Sequence, residues 1–165
     1  MFFQAHKDRG HEVYQYACGE RDEDNIDFVV VDSHGAKYES GQVSFESFSS
    51  IALKDSYASL KRNLDTRTIK VNLRRLDTIL KQHAPDIDRI DILSVDVEGW
   101  ELEVLKGLDV SRYRPRVMII ENLFLEERYE IHMKEIGYVL WKRIRPNDVY
   151  VDSKFLASAG EAPRG

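Results

Sequence analysis

Two short apolar runs on either side of a helical stretch constrain this chain more than any other feature. Ile90 to Val95 and Val117 to Ile120 are rich in β-branched residues and too short for buried helices, so they read as buried strands. Between them, Trp100 to Lys106 has helical spacing and is closed by Gly107, while Pro115 precedes the second strand. A connection of roughly 20 residues is long enough for a crossover, and crossovers of this kind are almost always right-handed. The two strands are therefore expected to lie parallel, side by side or nearly so, as a β-α-β unit of an α/β domain.

The flanking sequence extends that unit. Glu12 to Cys18 reads as a strand stopped by a charged turn from Cys18 to Asn25, and Ile26 to Val31 as a second strand, the pair forming a hairpin. Asp32 to Asp65 is serine-rich with scattered aromatics, and loops with one short helix are expected there. Ile69 to Leu73 alternates as a strand; Leu73, Leu76, Ile79 and Leu80 then repeat at helical spacing as far as Pro85. Glu126 to Ile136 makes another helix, ended by Gly137. Tyr138 to Ile144 and Val149 to Asp152 flank Arg145 to Asp148, whose Pro and Asn suit a four-residue turn, so the sheet is mixed and closes with an antiparallel hairpin. Residues 157–165, small and ending near Pro163, read as a flexible tail behind a single domain over residues 1–156.

At 165 residues one domain with its own core is the natural expectation. The 24 basic residues are outnumbered by 29 acidic ones, a net charge of −5, which argues against general nucleic-acid binding. No apolar stretch approaches the roughly 20 residues of a membrane span. The only cysteine, Cys18, allows no intrachain disulfide and no CxxC knuckle, and the start lacks a secretory signal, so a cytoplasmic location is expected.

Open α/β sheets receive ligands beyond the carboxyl ends of their strands. The residues that end the two buried strands here are acids: Asp96, followed closely by Glu98, and Glu121. Parallel neighbours lie about 4.8 Å apart, so Asp96 and Glu121 can converge on one rim. Such a rim can hold a divalent cation, take a proton from a hydroxyl or bind a cationic centre; alternatively, the acids only cap helix starts. Glu101 falls on the apolar arc of the following helix and needs a partner there, either backbone donors at the first turn or the site itself. Trp100 reads as core rather than a stacking platform. The five histidines form no HxxxH or HxH pair, so no metal site is expected. Cys18 reads as a buried structural thiol, and no GxSxG elbow occurs. The basic residues Lys61, Arg62, Arg67, Lys70, Arg74 and Arg75 read as a solvated face.

From Ile90 through Asp96-Val97-Glu98-Gly99-Trp100-Glu101-Leu102 to Gly107 and Leu108, and again from Arg114-Pro115 to Glu121, the sequence resembles the FkbM family of S-adenosylmethionine-dependent methyltransferases. Leu76-Asp77-Thr78-Ile79-Leu80, Gly137-Tyr138 and the final hairpin also match, so the resemblance covers roughly Glu12 to Asp152. It implies a Rossmann-like class I methyltransferase sheet, S-adenosylmethionine as cofactor, and methylation of a hydroxyl oxygen on a small acceptor such as a sugar or secondary metabolite. It also implies catalytic places for Asp96, Glu98 and Glu121.

The family's earlier strand, with its glycine-rich turn of the Asp-x-Gly-x-x-x-Gly kind and a following acid for the ribose, has no counterpart here, so the cofactor-binding residues stay unassigned. By the resemblance, the chain is N-terminally truncated and starts after the first two strands, leaving an open apolar edge at Ile90 to Val95. Three accounts fit: a fragment of a longer product, which is the expectation; a second chain that supplies the missing strands; or a degenerate relative without a cofactor site. Two other functions stay open, an interaction module pairing through that edge and a metal-dependent glycosyltransferase using Asp96 and Glu98.

Overall fold

The computed structural model describes residues 2–32, 37–38, 43–44, 49, 51 and 65–160. The chain opens with helix α1 (Phe2–Asp8), strand β1 (Ala17–Cys18) and the long strand β2 (Glu23–Asp32). The short strands β3 (Lys37–Tyr38) and β4 (Val43–Ser44) follow, then β5 (Asp65–Arg74) and helix α2 (Leu76–His83). The β-α-β unit is β6 (Ile92–Val95), α3 (Glu101–Lys106) and β7 (Val117–Glu121). Helix α4 (Glu127–Glu135), strands β8 (Tyr138–Ile144) and β9 (Asn147–Asp152), and helix α5 (Ser153–Ala159) complete it. The class is mixed α/β, and no helix among the described residues is long and apolar enough to cross a membrane.

One sheet has the order β6-β7-β9-β8. Strands β6 and β7 run parallel in the register Ile92↔Val117 to Val95↔Ile120, as the crossover requires. β9 lies antiparallel to β7 and to β8. The closing hairpin forms as expected, with a tighter turn: Ile144 pairs with Asn147, so only Arg145 and the cis Pro146 remain between the strands.

A second sheet has the order β1-β5-β2. The expected hairpin of the two N-terminal strands is not made. β1 pairs instead in parallel with β5, Ala17↔Leu73 and Cys18↔Arg74, and β5 separates it from its sequence neighbour β2. Glu12 to Tyr16 also falls outside a strand, because an extended, alternating segment becomes a strand only where a partner meets its backbone. The short helix expected within Asp32 to Asp65 lies outside the described residues. The segment expected to be a loose tail is ordered further than its composition suggested: α5 runs through Ala159, with the Asp152 carboxylate accepting the Lys154 N–H at its start and Gly160 at φ 70° ending it.

The core lies where α3 and α4 pack on the first sheet. Leu102, Val104 and Leu105 from α3 and Tyr129 and Met133 from α4 cover Met118 and Ile120 of β7 and Tyr150 of β9. Met118, Ile120, Met133 and Tyr150 have no exposed surface at all. Burial of side chains this size contributes about 1.5–3 kcal/mol each, which fixes the carboxyl end of β6 relative to α3.

Candidate functional site

Just past the carboxyl end of β6, the chain leaves the sheet and enters α3 through one tight turn. Glu98 at φ 58° and Gly99 at φ 94° are both left-handed there. Glycine adopts this freely; Glu98 does so at a cost of about 1–3 kcal/mol, a kind of strain concentrated at functional sites.

A cavity of about 420 Å³ opens beside this turn. Asp96, Val97, Glu98 and Trp100 form one wall, and Tyr16, Ala17, Cys18 and Phe28 from the second sheet form the other, with Ser49 and Ile51 completing it. Three aromatic rings and two carboxylates therefore share one space. Tyr16 is steadied from behind, its hydroxyl 3.3 Å from His83 Nε2, while the Tyr14 ring stacks on His83 at 3.7 Å.

Asp96 is exposed at the cavity, yet its carboxyl titrates above the usual range. Loss of surrounding water contributes most, and the negative charge of Glu101 adds to it. Glu98 is buried. Cys18 is half-buried, and burial pushes its thiol up, away from nucleophilic reactivity.

The third expected acid, Glu121, ends β7 one position beyond the Val95↔Ile120 pair, level with Asp96 on the neighbouring strand. It is buried, and it is not among the residues that line the cavity. Its neighbour Asn122 organises the next loop: Nδ2 donates to Asp148 at 2.9 Å, and Oδ1 accepts the Glu126 N–H at 2.8 Å. Glu101 found backbone donors, though not those of its own helix turn: it accepts the N–H groups of Val97 and Gly99.

Among the described residues, no three His, Cys, Asp or Glu side chains are grouped so as to hold a metal ion. Lys70 and Arg74 of β5 pair with Asp27 and Asp24, and Arg75 pairs with Asp77. Sequence reasoning missed the opposite wall. Tyr16 and Phe28 carry no local signal of a site, and Trp100, expected in the core, is half-buried along the cavity.

The profile of the methyltransferase FkbM domain matches residues 3–154. The chain belongs to the FkbM methyltransferase family. Two curated relatives are named as methyltransferases. This FkbM domain is 41% identical over 64 residues to Methyltransferase sdnD of Sordaria araneosa, covering 35% of this chain and 23% of that protein. It is 36% identical over 62 residues to Methyltransferase 1 of Beauveria bassiana (strain ARSEF 2860), covering 38% of this chain and 23% of that protein. Each alignment thus spans less than a quarter of the relative's length. No solved structure matches the FkbM chain significantly.

Proposed function

We propose that this FkbM domain transfers a methyl group from S-adenosylmethionine to a hydroxyl oxygen of a small acceptor, a sugar or secondary metabolite, on a Rossmann-like class I sheet. The observation that supports this best is the placement of Asp96 and Glu98 in a cavity at the carboxyl end of a parallel strand, where α/β sheets receive ligands. A cavity of about 420 Å³ falls in the range that takes a small molecule.

The residues present suit the charged end of the donor. Two carboxylates and the rings of Tyr16, Phe28 and Trp100 form a surface that favours a cationic centre. When bound, S-adenosylmethionine supplies a methyl group on a positively charged sulfur. Asp96, whose raised pKa brings it nearer to neutrality than an ordinary aspartate, accepts the proton that the acceptor hydroxyl must lose. Glu98 and the aromatic wall orient the acceptor, and Glu121 supports the rim from the next strand.

The edge of β6 that is unpaired among the described residues belongs to this proposal. Among the described residues no strand pairs with it on the side away from β7, and Ile92 remains 63% exposed. A further strand, from a longer chain or from a second one, would cover that edge and complete the donor site.

Calorimetric titration with S-adenosylmethionine and S-adenosylhomocysteine tests the reading, followed by a screen of hydroxylated acceptors with methyl-labelled donor. Micromolar binding, about −8 kcal/mol, and labelled product are expected. Absence of binding by a chain shown to be folded would overturn autonomous catalysis and leave an interaction module that pairs through β6.

A further inference from the structure

We infer that Glu101 is a positioning residue which, with Tyr129, holds the Asp96–Gly99 turn in the shape that presents Asp96 and Glu98 to the cavity. The inference rests on reading that cavity as the active site. Glu101 is 0% exposed, although it stands on the helix that follows the site. Its Oε1 accepts the N–H of Val97 at 3.2 Å and of Gly99 at 2.9 Å, and its Oε2 accepts the Tyr129 hydroxyl at 2.6 Å. Val97 and Gly99 both precede α3, so the carboxylate reaches back across the turn. A residue serving only its own helix would bond to that helix's first-turn amides and stay in water.

The turn has reason to be held. Glu98 has no intrinsic preference for φ 58°, and a free segment would relax to an ordinary conformation and carry both acids away from the cavity. Bonding the amides on either side of Glu98 to one buried group prevents that. Tyr129, 2% exposed on α4, anchors the group in turn. Burial first, and its bond to Glu101 second, push the Tyr129 hydroxyl far up, so it remains a donor at every working pH. The brace also acts electrostatically. Among the described residues, the titratable groups around Asp96 are Glu98 and Glu101 from its own stretch, Glu121 level with it on the neighbouring strand, and Tyr16 and Cys18 from the facing wall. Of these, Glu101 is the one whose charge holds Asp96 up.

The test uses the whole chain without donor or acceptor, so a failure to bind S-adenosylmethionine would leave its outcome readable. Amide hydrogen exchange and the carbon-detected titration of Asp96 are compared in the parent, Glu101→Ala, Glu101→Gln and Tyr129→Phe. In Glu101→Ala and Tyr129→Phe the amides of Val97 and Gly99 are expected to exchange at least tenfold faster, with Met118 and Ile120 in β7 unchanged. Glu101→Gln keeps an acceptor oxygen, so it should keep the protection while lowering the midpoint of Asp96, which a purely structural role would not do. Unchanged exchange at Val97 and Gly99 in Tyr129→Phe, or an unmoved Asp96 midpoint in Glu101→Gln, overturns the inference. These two variants suffice should Glu101→Ala fail to fold.

Discussion

Gly107 and Gly19 meet backbone against backbone: a methyl group on Gly107 would stand 2.1 Å from the carbonyl oxygen of Gly19. Gly107 also accepts the Asp77 N–H at 3.1 Å, and the Gly19 N–H donates to the Arg74 carbonyl at 3.1 Å. The end of β1, the start of α2 and the end of α3 are thus pinned at one point, and the two walls of the cavity are pinned with them. Because the obstacle is backbone, no rotamer change can absorb a substitution. Gly107→Ala is expected to cost about 1–3 kcal/mol or more in urea denaturation, with weaker ligand binding at the displaced wall. A variant as stable as the parent would show the contact to be slack.

Asp96 should trade stability for activity. Its pKa is raised, so the folded state holds the proton more tightly than the unfolded one; that contribution is present at low pH and is lost as pH rises through the raised value. At neutral pH the charge is therefore a burden on the fold. Asp96→Asn is expected to melt no lower than the parent while methyl transfer falls by about 10²–10⁴-fold. In the parent, the acid limb of kcat/KM should lie above the ordinary aspartate range. Full activity in Asp96→Asn would remove it as the base.

Arg114 and Asp152 tie the end of β9 to the segment before β7. Arg114 Nε and Nη2 donate to Asp152 Oδ1 at 2.9 and 2.7 Å, and the remaining guanidinium bonds go to the carbonyls of Ile136 and Gly137. Burial works to raise the Asp152 pKa, but the Arg114 bonds and the Lys154 amide outweigh it and hold the carboxyl below its usual range. A depressed carboxylate stabilises above its unfolded pKa and stops doing so as pH falls through the folded one. Asp152→Asn should lose about 1–3 kcal/mol at pH 7, and the gap to the parent should close as pH falls below about 4. An equal gap at both pH values would contradict this account.

The edge of β6 that is unpaired among the described residues predicts self-association. Ile92, 63% exposed, presents an apolar side chain on a strand whose outer hydrogen-bonding edge is open among the described residues. Ile92→Lys places a charge there, a common guard of natural edges. Light scattering should show less association, with stability changed by no more than about 0.5 kcal/mol. Unaltered association would place the sticky surface elsewhere.

Much of the first sheet was legible because its signals are local. β6, α3 and β7 stand close to where apolar runs, Gly107 and Pro115 put them, and the acids that end the strands follow directly. β1 was not legible as a partner of β5, since Ala17 and Leu73 are brought together by the fold and not by any pattern in either segment. The same reason hides half of the cavity. Asp96 and Glu98 announce themselves after a buried strand, whereas Tyr16 and Phe28 look like core aromatics until a second sheet turns them toward the acids. Glu101 lay between these cases: its place on an apolar arc demanded a partner, and only the fold could name Tyr129.

Because Tyr16 and Asp96 face each other across the cavity from distant parts of the chain, the pocket exists only where both sheets are in place. The four-strand sheet by itself carries the acids but lacks the opposite wall of the pocket. Any ligand that enters binds the finished molecule alone, and so protects both sheets together against heat and proteolysis. Melting temperature should then rise with ligand concentration, with both sheets melting in a single transition.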